Sequence, residues 1–190
     1  AADSVISALT PAAWYRNATN VVQSGGFASL WGDYAGTTKG LVLPGVGTGN
    51  SASTPDSAAL SITGDMEIEL DFHKPSINGY LMSKSSDSCV THGWELLFSS
   101  SPKVYLKWFD GTATRTAIPA ASWPYSTTTR GQVKVVFDAD NGAGGCAVSY
   151  YYRPDSNSSW SLLETVTQAF TTSIVDSAQP LVVGSNPGGG

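Results

Sequence analysis

From Gly64 to Phe72 the chain alternates without a break. Met66, Ile68, Leu70 and Phe72 fall on one side, and Asp65, Glu67, Glu69 and Asp71 on the other. Successive side chains of a strand face opposite ways, so this segment is predicted to be a β-strand with one apolar and one charged face. Sheets built from such strands belong to antiparallel β-sandwiches, whose wet face is free to bind. Just upstream, Leu41-Val-Leu43 reads as a short apolar strand. The Gly-, Pro-, Asn- and Ser-rich stretch after it reads as a crossover into the longer one.

Period two outweighs period 3.6 along the rest of the chain. Short strands are expected at Val21–Gln23, Ala28–Trp31 and Leu41–Leu43. Further strands are expected at Met66–His73, Tyr80–Ser83, Glu95–Phe98, Lys103–Phe109, Thr114–Ile118, Gln132–Asp138, Cys146–Tyr152, Leu162–Thr167 and Leu181–Val183. Turn-forming pairs separate them, among them Asn78-Gly79, Asp110-Gly111 and Asp140-Asn-Gly142. Short strands at a spacing of roughly 8–12 residues are the signature of a sandwich or barrel. Helix signals are nearly absent, with a single turn at most over Ser57–Leu60. Alternation assigns Val104, Leu106 and Trp108 to the inner face, with Val133, Val135 and Phe137 and then Val148, Tyr150 and Tyr152; Trp14 and Trp31 also read as core.

Composition sharpens this picture. The 190 residues are 41% hydrophobic and only 13% charged, about half the usual charged share. The polar surface must therefore be built from Ser, Thr, Asn and Gly, a palette frequent in secreted and extracellular proteins. A net charge of −5, a pI near 4.8 and scattered Lys and Arg argue against nucleic acid as a partner. No apolar run approaches the length of a membrane span, so membrane insertion is not expected.

Candidate chemistry is sparse. Cys89 and Cys146 are the only cysteines, both near strand starts. A disulfide between them is open, as is the plainer reading of two buried thiols. His73 and His92 lack zinc-ligand spacing, and neither has a nucleophile partner for a triad. Asp138 and Asp140 suggest a calcium loop, but Gly142 comes one position early and no distal Glu follows. A tight Asn-Gly hairpin with positive φ at both central residues explains them better, so no metal or cofactor is expected. Trp94, Trp123, Tyr125 and Trp160 lie in or beside predicted loops, where aromatic faces can stack on sugar rings; they are the candidate ligand-binding residues.

Several motifs carry a resemblance to a known family. They include Ala13-Trp-Tyr-Arg16, Leu30-Trp-Gly-Asp33, Leu43-Pro-Gly-Val46, Ile62-Thr-Gly-Asp65, Trp108-Phe-Asp-Gly111, the Phe137–Gly145 hairpin and Val183-Gly-Ser-Asn186. From about residue 12 onward the chain resembles the laminin-G/concanavalin A-like jelly-roll domains of minor tail proteins of actinobacterial phages. The resemblance implies an all-β, antiparallel, concanavalin A-like jelly roll over residues 13–190, preceded by an N-terminal extension over residues 1–12. It also implies a virion surface protein of tail or capsid that is not an enzyme. Its partners would be other virion proteins, copies of itself, or cell-surface glycan of the host envelope. The alternative is a structural decoration or spacer protein without a ligand. Domains of this kind follow the Val-Gly-Ser-Asn element with a further strand, so a closing strand is expected to be missing here. They also carry a polar residue where Cys146 stands, which favours its pairing with Cys89. Glucanases of similar fold carry Glu-x-Asp-x-Glu on the catalytic strand, whereas Glu67-x-Glu69-x-Asp71 has another order and an earlier place in the chain. A solvated outer face is the expectation for these three acids.

Overall fold

In the computed structural model the described residues are 22–24, 29–34, 38–42, 51–73, 79–125, 130–155 and 157–185; for the segments before residue 51, and for residues 73 and 130, this covers the backbone alone. The strands are β1 (Val22–Ser24), β2 (Ser29–Tyr34), β3 (Thr38–Val42), β4 (Ser51–Thr54), β5 (Met66–His73), β6 (Gly79–Ser83) and β7 (Trp94–Phe98). They continue with β8 (Val104–Phe109), β9 (Thr114–Ala117), β10 (Arg130–Asp138), β11 (Cys146–Arg153), β12 (Ser161–Gln168) and β13 (Leu181–Val183). A single 3-10 turn at Ala58–Leu60 is the only helical element among the described residues, where the sequence predicts one turn.

Seven strands pair in the order β1-β4-β13-β6-β7-β8-β9 and four in the order β12-β11-β10-β5, while β2 and β3 form a separate ribbon. Every pairing is antiparallel. The chain changes sheets between β4 and β5, β5 and β6, β9 and β10, and β12 and β13, the two-sheet winding of a jelly roll. The fold class is an antiparallel β-sandwich.

Alternation decides the core. Val104, Leu106 and Trp108 of β8 face Val133, Val135 and Phe137 of β10 and Val148 and Tyr150 of β11, all buried. Trp108 and Phe137 meet edge to face at 5.1 Å between ring centres. Met66 and Ile68 of β5 complete this layer, with Leu70 and Phe72 partly buried at its margin. One long side is stitched by side chains. The Gln168 amide donates to the Thr116 carbonyl at 3.0 Å, and the Ala121 N–H donates to Glu164 Oε2 at 2.7 Å. Thus β12 is tied to the segment around β9 although the two belong to different sheets.

Two expectations need correction, and of the two readings open for the cysteines the plainer one, two buried thiols, holds. Ser51–Thr54 lies in the predicted crossover but forms β4, between β1 and β13. Its Ala52 is fully buried. The link between β10 and β11 is a loop over residues 139–145 and not a two-residue turn. It is closed by the Asn141 N–H to the Gly145 carbonyl, with positive φ at Gly142 and Gly144 and not at Asn141. Cys89 and Cys146 are not bonded to each other; both are free and buried. Cys146 sits in the core between the sheets, whereas Cys89 lies in the loop after β6 with Sγ 3.6 Å from the Lys107 carbonyl. The side chains of Trp14 and Trp31, the Asn78 turn and residues 1–12 lie outside the described residues. The strand β13 is internal, paired with β4 and β6.

Candidate functional site

The outward-facing side chains of the four-stranded sheet line up in rows, because the register places alternate residues of β5, β10 and β11 side by side. One row is Asp71–Gln132–Arg153, and the next is Glu69–Lys134–Tyr151, extended by Leu162 of β12. In the first row the Gln132 amide donates to Asp71 Oδ2 at 2.9 Å, and Arg153 Nε donates to Gln132 Oε1 at 2.6 Å. The amide is thereby fixed in orientation, since its oxygen and nitrogen each have a partner. In the second row the Lys134 ammonium stands 3.9 Å from Glu69 Oε1.

Trp160, just before β12, joins the two rows. The Arg153 guanidinium carbon lies 4.0 Å from the centre of an indole ring, and Lys134 Nζ lies 5.2 Å away. A cation over an indole face is held by the quadrupole of the ring. Together Glu69, Leu70, Asp71, Gln132, Arg153 and Trp160 line a shallow open depression. It combines one aromatic side chain, with Arg153 and Lys134 beside its ring, and several planar, hydrogen-bonding groups.

The sequence candidates divide. Trp160 lines the depression. Trp94 and Trp123 are each only 4% exposed and belong to the core, so neither presents a face for stacking. Trp94 opens β7 with the inward parity of Leu96 and Phe98, one residue earlier than the predicted strand start. Trp123 is held in a series of rings that closes one end of the sandwich. Phe72 lies 5.2 Å from Trp123, Trp123 lies 5.5 Å from Tyr125, and Tyr125 lies 5.9 Å from Tyr152. Tyr125 is half-buried in that series. Gly131 makes room for it, since a Cβ there would stand 2.3 Å from its ring. Asp138 and Asp140 accept hydrogen bonds from amides of their own turn, at 3.2 and 3.1 Å. No group of three His, Cys, Asp or Glu side chains suited to a metal occurs among the described residues. Gln132 and Arg153 were not among the sequence candidates; their outward parity is readable, but their sharing a row is not.

A second depression, near Asp110, Arg115 and Phe170, is saturated from within. Arg115 Nε donates to Asp110 Oδ2 at 2.5 Å, and its guanidinium carbon lies 4.3 Å from the Phe170 ring centre. Burial works against the Asp110 charge. The Thr112 hydroxyl, the Ala113 amide and Arg115 nonetheless hold its carboxyl well below the usual range.

On the larger sheet the loop over residues 84–93 packs against β8 and β9, with Cys89 Sγ 3.6 Å from the Lys107 carbonyl and the Thr114 hydroxyl donating to the Cys89 carbonyl at 2.6 Å. Asp87 accepts hydrogen bonds from the amides of Val90 and Thr91, and from the hydroxyls of Thr91 and Ser85. Burial opposes its ionisation, but these donors, the Thr91 and Ser85 hydroxyls foremost, hold it down to about 2. Beneath the loop Glu95 is fully buried, and neither carboxylate oxygen has a hydrogen-bond partner among the described residues. Lys107 Nζ stands 3.8 Å away. Burial, aided by the Asp87 charge and opposed by Lys107, pushes the Glu95 carboxyl up to about 7.

No protein-family model matches the sequence, and no curated protein matches it. Solved structures of similar shape include the CBM40 module of the Ruminococcus gnavus IT-sialidase, 15% identical, aligned over 68% of each chain with a TM-score of 0.45. The same module bound to α2,6 sialyllactose aligns over 64% of each chain with a TM-score of 0.42. Domains LG4-5 of the mouse laminin α1 chain are 18% identical, with 64% of this chain and 29% of that one covered and a TM-score of 0.44. The chain therefore spans about two thirds, or less, of the lengths of these proteins. At such identities and TM-scores the likeness adds nothing to the two-sheet architecture that the strand order already gives.

Proposed function

We propose that the chain is a non-catalytic, lectin-like module that binds glycan on the outer face of its four-stranded sheet. The observation that carries this reading is the Asp71–Gln132–Arg153 row fixed beside Trp160. A sugar offers hydroxyls to such planar groups and an apolar C–H face to the ring. The acids of β5 serve as hydrogen-bond acceptors and not as a catalytic pair, Glu69 being engaged by Lys134 and Asp71 by Gln132. Isothermal titration with a polysaccharide panel tests this: Trp160→Ala and Gln132→Ala should each abolish measurable binding while leaving the thermal midpoint within a few degrees. Binding that survives both substitutions places the site elsewhere.

The setting we propose is the surface of a phage particle, as a minor tail or tail-tip protein that recognises the host envelope. This rests on the motif resemblance alone. Labelling intact particles with an antibody against the domain tests it, and unlabelled particles would overturn it. A spacer role without a ligand is favoured by the β12 edge, eight residues long, where Leu162 is 56% exposed. Absence of glycan binding together with concentration-dependent self-association would select that role.

A further inference from the structure

Resting on that reading, we infer that the depression selects uncharged polysaccharide, a chain of neutral sugars, over glycans bearing uronate or sialate. The selection comes from the balance of charge around it, two carboxylates to one guanidinium among the described lining residues. Among the described lining residues Arg153 is the one cation; its Nε donates to Gln132 while its guanidinium lies against Trp160. The ammonium of Lys134 faces Glu69 and the same indole. An incoming carboxylate can still pair with the terminal nitrogens of Arg153, but it would meet two like charges, Glu69 and Asp71, on the opposite wall.

Neutral hydroxyls meet no such obstacle. Glu69, acceptor-only when ionised, has more lone-pair sites than the Lys134 ammonium fills, so it can take hydroxyl protons that an acidic sugar's carboxylate cannot supply. The walls are two strands apart, about 10 Å at ordinary strand spacing. That is room for a short internal stretch of a chain, and an open depression does not require a chain end. Glu67 lies one row further along β5, opposite Val136, and has no ion-pair partner among the described residues. It extends the negative wall beyond the lining.

The experiment is titration of the full chain with neutral polymers (dextran, galactan, arabinan) and acidic ones (hyaluronate, alginate, polysialate), each at low and high salt. Expected is a neutral polymer whose affinity changes less than about twofold with salt, because no net charge is exchanged. Every acidic polymer should bind at least about tenfold more weakly. Glu67→Lys, outside the lining, should strengthen acidic-polymer binding several-fold and leave neutral binding unchanged. Equal or tighter binding of an acidic polymer, weakening with salt, would overturn the inference and leave the glycan-binding reading standing. No binding by any of the six would remove both.

Discussion

The hydroxyl of Tyr150 stands between the backbones of Leu106 and Ala117. It accepts the Leu106 N–H at 3.0 Å and donates to the Ala117 carbonyl at 2.6 Å. Leu106 and Ala117 are register partners on β8 and β9, so a side chain from the opposite sheet completes their ladder. Burial pushes the phenol well above its ordinary range, which keeps the proton on the oxygen. Tyr150→Phe removes both bonds and leaves a buried amide and carbonyl to fend for themselves. The expected loss is about 1–3 kcal/mol in urea unfolding with an unchanged slope. A loss below about 0.5 kcal/mol would mean that β8 and β9 close the gap by themselves.

Glu95 makes stability depend on pH in an uncommon direction. Its folded-state value of about 7 lies above its ordinary 4.5, so the folded chain binds the proton more tightly than the unfolded one. Its contribution is complete below pH 4.5 and is lost as pH rises through 7. The full span is worth up to about 3 kcal/mol. Asp87, held down to about 2, acts oppositely and only in more acidic solution. Thermal midpoints between pH 5 and 8 should fall in the native protein and stay nearly level in Glu95→Gln. Parallel profiles would show that Glu95 keeps its charge when folded.

Cys89 and Cys146 should resist a water-soluble thiol reagent until the chain unfolds. Burial, reinforced by the Glu95 charge, pushes the Cys89 thiol up to about 12, and burial raises Cys146 as well. Neither offers thiolate at neutral pH. Two labels should appear in denaturant with or without prior reduction. Rapid labelling of either in native buffer would contradict the packing around it.

Lys84 is 1% exposed and joins three segments. Its ammonium lies 2.9 Å from Asp56 and 3.3 Å from Asp176, and it donates to the Ser177 carbonyl. Lys84→Ala strands those acceptors at the margin of a buried site, with an expected cost of about 3 kcal/mol. Asp56→Asn should cost less, because Asp176 remains. An equal or larger loss from Asp56→Asn would assign the anchor to one pair only.

Much of the fold is legible because alternation survives in β5, β8, β10 and β11, where each strand carries its own apolar face. What was hidden depends on partners distant in sequence. Ser51-Ala-Ser-Thr54 has no apolar stripe, yet it lies inside a sheet because β1 and β13 flank it. Glu95 occupies an outward position that alternation alone would leave wet, and only the loop across it makes it dry. At the candidate site Trp160 was visible as a loop aromatic. The row of Asp71, Gln132 and Arg153 needed cross-strand register, which no single strand encodes.

The mutual grip of Arg153, Lys134, Gln132 and Trp160 has a thermodynamic consequence. Long side chains ordinarily surrender torsional freedom when a ligand arrives, a penalty of about 0.5–1.5 kcal/mol apiece. Here that surrender precedes the encounter, so the unliganded surface is already cast in a receptive shape. On the proposed reading, weakly attractive hydroxyls would then hold a chain that a floppier rim would release.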